Sequence, residues 1–164
     1  MIGDTYAATL AARSFRAFMA IAARFDLELI QYDAVNAFVH ANLDEKVFMK
    51  MPHGYRKPGK LLRLNRTLYG LRRSLILWHK AFYTSLVGIG FKPVPHERCC
   101  LTHDDIPNFF YVDDIVVAYK KDREGTVHRL INDLKKQYNL DGGKSYNGFW
   151  GSESSGTETR SSSG

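Results

Sequence analysis

Two rhythms of hydrophobic and polar positions run along this chain. From Asp26 to Asp33 the period is two: Leu27, Leu29 and Gln31 point one way, Glu28, Ile30 and Tyr32 the other. That alternation predicts a strand ending in an acid. From Phe109 to Val117 an apolar, β-branched run is interrupted by Asp113-Asp114, which reads as strand, turn and strand. Shorter strands are expected at Val47–Met51, closed by Pro52, and at Leu61–Leu64. Two more, Cys99–Thr102 and Asn108–Tyr111, flank the polar turn Asp104-Asp105.

The second rhythm is helical. Leu75, Leu77, Trp78, Phe82 and Leu86 recur at helical spacing over Ser74–Val87, with Ser74 as N-cap and Gly88 and Gly90 as terminators. Val127, Leu130, Ile131 and Leu134 mark one face of a helix over Asp122–Tyr138. An Ala-rich helix over Asp4–Phe25, capped by Asp4, carries Leu10, Phe15, Phe18 and Met19. Val35–Leu43, with Phe38, fits one or two helical turns. From Gly142 onward Gly, Ser and Thr take over, so 142–164 is expected to be a disordered tail.

With 164 residues, 45% hydrophobic and 13% aromatic, the chain can bury one real core. The formal net charge of +6 permits a polyanionic partner without requiring one. The two cysteines, Cys99 and Cys100, are adjacent, so they are no disulfide framework and fit a reducing compartment. No apolar run approaches the about 18 residues of a membrane span. Asp4 precedes any basic residue, unlike the charged head of a signal peptide. Together these point to an intracellular protein, cytoplasmic or nuclear.

The chemistry centres on acids. Asp113 and Asp114 inside an apolar run are costly unless a positive group compensates them. If Asp33 joins them, three carboxylates converge at strand ends. That is a ligand set for two magnesium or manganese ions about 3.5–4 Å apart, suited to phosphoryl transfer. The bland alternative is an ordinary Asp-Asp turn, which the apolar flanks and Asp33 argue against. Arg63, Arg66, Arg72 and Arg73 crowd around Tyr69-Gly70, either as a solvated loop or as a phosphate-facing patch. His96, Cys99, Cys100 and His103 have metal-like spacing, but four ligands within a partly strand-like segment make zinc the minority reading. No Gly-rich dinucleotide motif, P-loop or Ser-His-Asp signature occurs.

Three segments, in order, carry a resemblance: FDLELIQYDAVNAFVHANLDEKVFMKMPHGY, LLRLNRTLYGLRRS with the LW that follows, and FFYVDDIVVAY. The chain resembles the reverse transcriptase domain of copia-type (Ty1/copia) LTR retrotransposons, over about 4–141. The resemblance implies an α+β fold, a polymerase palm-like antiparallel sheet with helices packed on one face, partial fingers and no thumb. It implies Asp33, Asp113 and Asp114 as catalytic, metal-binding carboxylates for two Mg²⁺ (or Mn²⁺) ions. It puts Phe38 under the sugar of the incoming nucleotide, where a flat ring leaves no room for a 2′-hydroxyl. Tyr69 and Gly70 would lie along template and nucleotide, and Tyr111 and Val112 would flank the primer end. The implied partners are an RNA or DNA template-primer and dNTPs.

The sequence departs from the family at two positions of the basic segment, where Arg73 stands for Gln and Leu75 for Pro. Little of the fingers fits before Asp4, which implies weak or absent activity. The tail GGKSYNGFWGSESSGTETR differs from a family continuation like GELQWFLGIRVLRDR, and a single-base frameshift near Gly142 would interconvert the two. A non-enzymatic basic nucleic-acid-binding remnant, or a pseudogene product without function, are the alternatives.

Overall fold

The structure is a computed structural model that describes residues 3–145, with side chains described from 12 to 143. Its elements run α1 (Gly3–Arg24), β1 (Glu28–Ala34), a 3-10 turn (Ala37–His40), β2 (Asn42–Lys50), β3 (Leu61–Arg66), α2 (Ser74–Gly88), β4 (Lys92–Val94), β5 (Glu97–His103), β6 (Ile106–Tyr111), β7 (Asp114–Tyr119), α3 (Glu124–Lys135) and β8 (Leu140–Ser145). The fold is α+β. A six-stranded sheet has the order β4-β5-β6-β7-β1-β8, every pair antiparallel, and β2 and β3 form a separate two-stranded ribbon.

The alternation read in the sequence decides which residues lie on which face. Ile30, Tyr32, Phe110, Ile115 and Val117 turn to the face covered by α2 and α3. Leu27, Leu29, Phe109, Val116 and Ala118 turn to the other, where Phe18 and Ala22 of α1 cover part of it. The expectation of helices on one face thus holds for α2 and α3, while α1 goes to the opposite side. On α2, Trp78, Phe82 and Leu86 are buried at i, i+4 and i+8. On α3 the buried set is Val127, Leu130, Ile131 and Leu134, as the spacing predicted.

Local chemistry differs from expectation in three places. Ser74 is the first residue of α2 rather than its cap, and its hydroxyl donates back to the Leu68 carbonyl at 2.6 Å. Asp4 lies within α1, not ahead of it. Residues 142–145, assigned by composition to the tail, complete β8 and pair with β1. Gly142 makes that pairing possible: at φ +106 a Cβ would sit 2.7 Å from the Gln31 carbonyl oxygen. The rest of the expected tail, 146–164, lies outside the described residues. Among the described residues no helix is long and apolar enough to cross a membrane.

Candidate active site

The register of three strands places the acids. Asp33, near the end of β1, is the direct partner of Asp114 at the start of β7. On its other side Asp33 is the partner of Asp141 on β8. Direct cross-strand partners project to the same face, so three carboxylates form a row across β7, β1 and β8. The fourth acid, Asp113, sits in the two-residue turn between Tyr111 and Asp114. Asp141 has no signal in the sequence: only the β8 register, itself hidden by glycines, brings it beside Asp33.

Like charges in register repel. Burial, then the charges of Asp113, Asp114 and Asp141, hold the Asp33 carboxyl above the usual carboxylate range. Among the described residues no ion pair neutralises any of the four. Asp114 has a neutral donor instead, the Gln31 side-chain amide at 3.0 Å. The donor set is of the hard-oxygen type that suits magnesium or manganese. As the side chains stand, no three His, Cys, Asp or Glu groups among the described residues are gathered closely enough to hold an ion. The backbone register nonetheless brings Asp114, Asp33 and Asp141 to adjacent positions across three strands.

The turn that carries Asp113 is strained. Val112 has φ +56, a left-handed conformation that costs a β-branched residue on the order of 1–3 kcal/mol. Two hydrogen bonds hold it. The indole N–H of Trp78 donates to the Val112 carbonyl at 2.5 Å, and the amide of Ala34 donates to the Asp113 carbonyl at 2.8 Å.

Next to the acids lies an aromatic pair. Phe38, in the 3-10 turn after β1, meets Tyr69 edge-on at 4.5 Å between centroids. The phenol of Tyr69 is pushed up by burial and by the Asp113 and Asp33 charges, so the pair borders the acidic row. Thr67, fully buried, ties this corner together: its amide donates to the Ala41 carbonyl at 3.0 Å and its hydroxyl to the Phe38 carbonyl. The sequence pattern marked Trp78 as a core position of the helix and Gln31 as a strand position but gave neither a part in the site, and it did not single out Thr67.

The arginines separate in role. Arg63 and Arg72 are exposed and Arg66 donates to the His40 carbonyl at 2.9 Å. Arg73 pairs with Asp44 at 2.6 Å and Glu45 at 3.8 Å, tying the start of α2 to β2. Tyr111 closes β6, and Gly70, at φ +88, has open space around its missing Cβ. The zinc-like quartet does not assemble. Cys99 and Cys100 lie side by side in β5 with thiols pushed up by burial, Cys100 to about 11, while His103 packs against Phe91.

An antiparallel sheet with acids paired at its strand ends, above two covering helices, is the palm-like α+β arrangement that the resemblance implies. The comparisons narrow that class. Residues 2–155 match the family described as reverse transcriptase (RNA-dependent DNA polymerase), and the chain belongs to it. It is 30% identical over 135 residues to the "Retrovirus-related Pol polyprotein from transposon TNT 1-94" of Nicotiana tabacum. That match covers 77% of this chain and 10% of the relative, and it supports a copia-type reverse transcriptase domain. No solved structure matches the chain.

Proposed function

We propose that this domain performs RNA-directed DNA synthesis by nucleotidyl transfer at Asp33, Asp113 and Asp114. The observation that carries the reading is the register pair Asp33–Asp114 with Asp113 in the adjoining turn. Those three carboxylates would hold two Mg²⁺ or Mn²⁺ ions, whose charge would acidify the primer 3′-hydroxyl and steady the departing pyrophosphate. The chain's own residues supply position. Phe38, tethered through Thr67 and packed against Tyr69, would lie under the sugar of the incoming nucleotide and crowd out an extra hydroxyl. Tyr111 and Val112 flank the acids on the primer side, and Gly70 leaves room for close backbone approach. Arg63, Arg66 and Arg72 offer positive charge to the phosphates of an RNA–DNA template-primer, while Arg73 first has to leave Asp44.

Primer extension on poly(rA)/oligo(dT) with Mg²⁺ or Mn²⁺ tests the reading. Weak, short-product extension is expected, and Asp113→Asn should lower it at least ~100-fold, since loss of one charged ligand removes several kcal/mol of transition-state stabilisation. Extension that survives Asp113→Asn would overturn the reading. Salt-dependent nucleic-acid binding without any extension, indifferent to Asp33 and Asp113, would favour the non-enzymatic alternative.

A further inference from the structure

We propose that Trp78 is a positioning residue of this site, its indole N–H holding the strained turn that aims Asp113. The inference rests on the metal-dependent reading above. Asp113 lies between two peptide planes, and each is fixed by one hydrogen bond. The plane after it is held by the Ala34 amide, one residue beyond Asp33 on β1. The plane before it carries the Val112 carbonyl, which accepts from Trp78 Nε1 at 2.5 Å. Of the two turn residues only Val112 has positive φ, the type II′ pattern that suits glycine. Rotating that peptide would change ψ of Val112 and φ of Asp113, carrying Val112 toward the left-handed helical region that non-Gly residues tolerate better and re-aiming Asp113. Something rigid has to oppose the relief.

Trp78 is rigid. It is 1% exposed and stacks on Phe82 at 5.1 Å, with Tyr138 edge-on at 5.3 Å. Its N–H is a donor only, so burial there demands an acceptor, and the Val112 carbonyl is that acceptor. The clamp therefore runs from the α2 core through the back of the sheet to the acidic edge. A turn glycine would need no such restraint, because it adopts positive φ freely. Valine at 112 makes the indole necessary.

The test uses the full chain as wild type, Trp78→Phe, Val112→Gly and the double variant. Phenylalanine keeps the stack and removes the donor. Two quantities are measured: the melting temperature without metal, and Mn²⁺ affinity from the free-ion EPR signal below every melting point. Trp78→Phe should weaken Mn²⁺ binding about tenfold, a differential of about 1.4 kcal/mol. In the Val112→Gly background the same change should cost markedly less, in both affinity and melting temperature. Equal losses in the two backgrounds, or unchanged Mn²⁺ affinity in Trp78→Phe, overturn the clamp.

If wild type binds no Mn²⁺, the metal-dependent reading fails instead, and the melting-temperature cycle still decides whether Trp78 restrains Val112. Should Trp78→Phe not fold, the indole proton resonance substitutes for it. That resonance should move in Val112→Gly, and an unmoved resonance sinks the proposal.

Discussion

The β6–β7 hairpin and the β2–β3 ribbon are both antiparallel pairs, yet they are supported in opposite ways. The hairpin lies inside the six-stranded sheet, with Phe110, Ile115 and Val117 packed beneath α2 and α3. The ribbon's strands pair only with each other and leave Phe48 55% and Leu61 60% exposed. A two-stranded pair is marginal in water without a packed face. The hairpin carries the acids, whose geometry has to be held within a fraction of an ångström. The ribbon carries Arg63 and Arg66, whose charge acts over a longer range and tolerates looser support. Rigid core is spent where chemistry needs placement, whereas the ribbon's root is held by the Thr67 hydrogen bonds to Ala41 and Phe38, by Arg66 on the His40 carbonyl and by the ion pairs of Arg73 with Asp44 and Glu45.

The sharpest way to break this comparison is a matched pair of truncations. Phe82→Ala empties the centre of the hairpin's support and should cost about 3–5 kcal/mol of unfolding free energy. Phe48→Ala, on the ribbon, should stay within about 0.5 kcal/mol. Urea denaturation reads both. If Phe48→Ala destabilises as much as Phe82→Ala, the ribbon is part of the cooperative core and the contrast is lost.

A set of three arginine substitutions sharpens the ribbon's side. Arg63→Ala and Arg72→Ala should each weaken RNA–DNA hybrid binding and flatten the slope of log K against log salt by about 1. Arg73→Ala should flatten it less, because its guanidinium already faces Asp44 and Glu45. None should move the melting temperature appreciably, since exposed ion pairs contribute about 0–1 kcal/mol. A uniform change in slope across all three would show that the Asp44 pair does not compete with phosphate.

The same contrast governs what the sequence could reveal. Period-two alternation made β1 legible and placed Asp33 at its end, and helical spacing marked the buried faces of α2 and α3. Those signals exist because the elements bury one side. The ribbon buries little, so its strands were read short: β2 begins at Asn42 and β3 reaches Arg66. β8 escaped because Leu140–Ser145 contains Gly142-Gly143, residues that composition assigns to a linker and that here allow the backbone to approach β1. With β8 hidden, Asp141 was hidden too. The meeting of Asp33 with Asp114 could be posed from the residues only as a condition, and otherwise as what the resemblance implies, because register between segments distant in sequence leaves no local trace. Single hydrogen bonds such as Trp78 to Val112 and Gln31 to Asp114 belong to the assembled geometry alone.

The smallest predicted effect concerns the stability that the acidic row gives up. Folding lifts the Asp33 carboxyl above its ordinary 3.8, first through burial and then through Asp113, Asp114 and Asp141. A raised acid binds its proton more tightly in the folded chain than in the unfolded one. Stability is therefore unaffected by this group well below 3.8 and falls as pH rises through that value to the lifted one, staying low at neutral pH. Asp33→Asn removes the penalty. It should raise the melting temperature by about 1–3 °C at pH 7 and change it little at pH ~3. Asp33 is exposed, which keeps the gain small. Mg²⁺ or Mn²⁺ should stabilise the wild type at pH 7 by neutralising the same repulsion, and should do much less for Asp33→Asn. A melting temperature that drops in Asp33→Asn at pH 7 without metal would mean that Asp33 holds the strand ends together, and the acidic edge would then be structure rather than a site kept ready for cations.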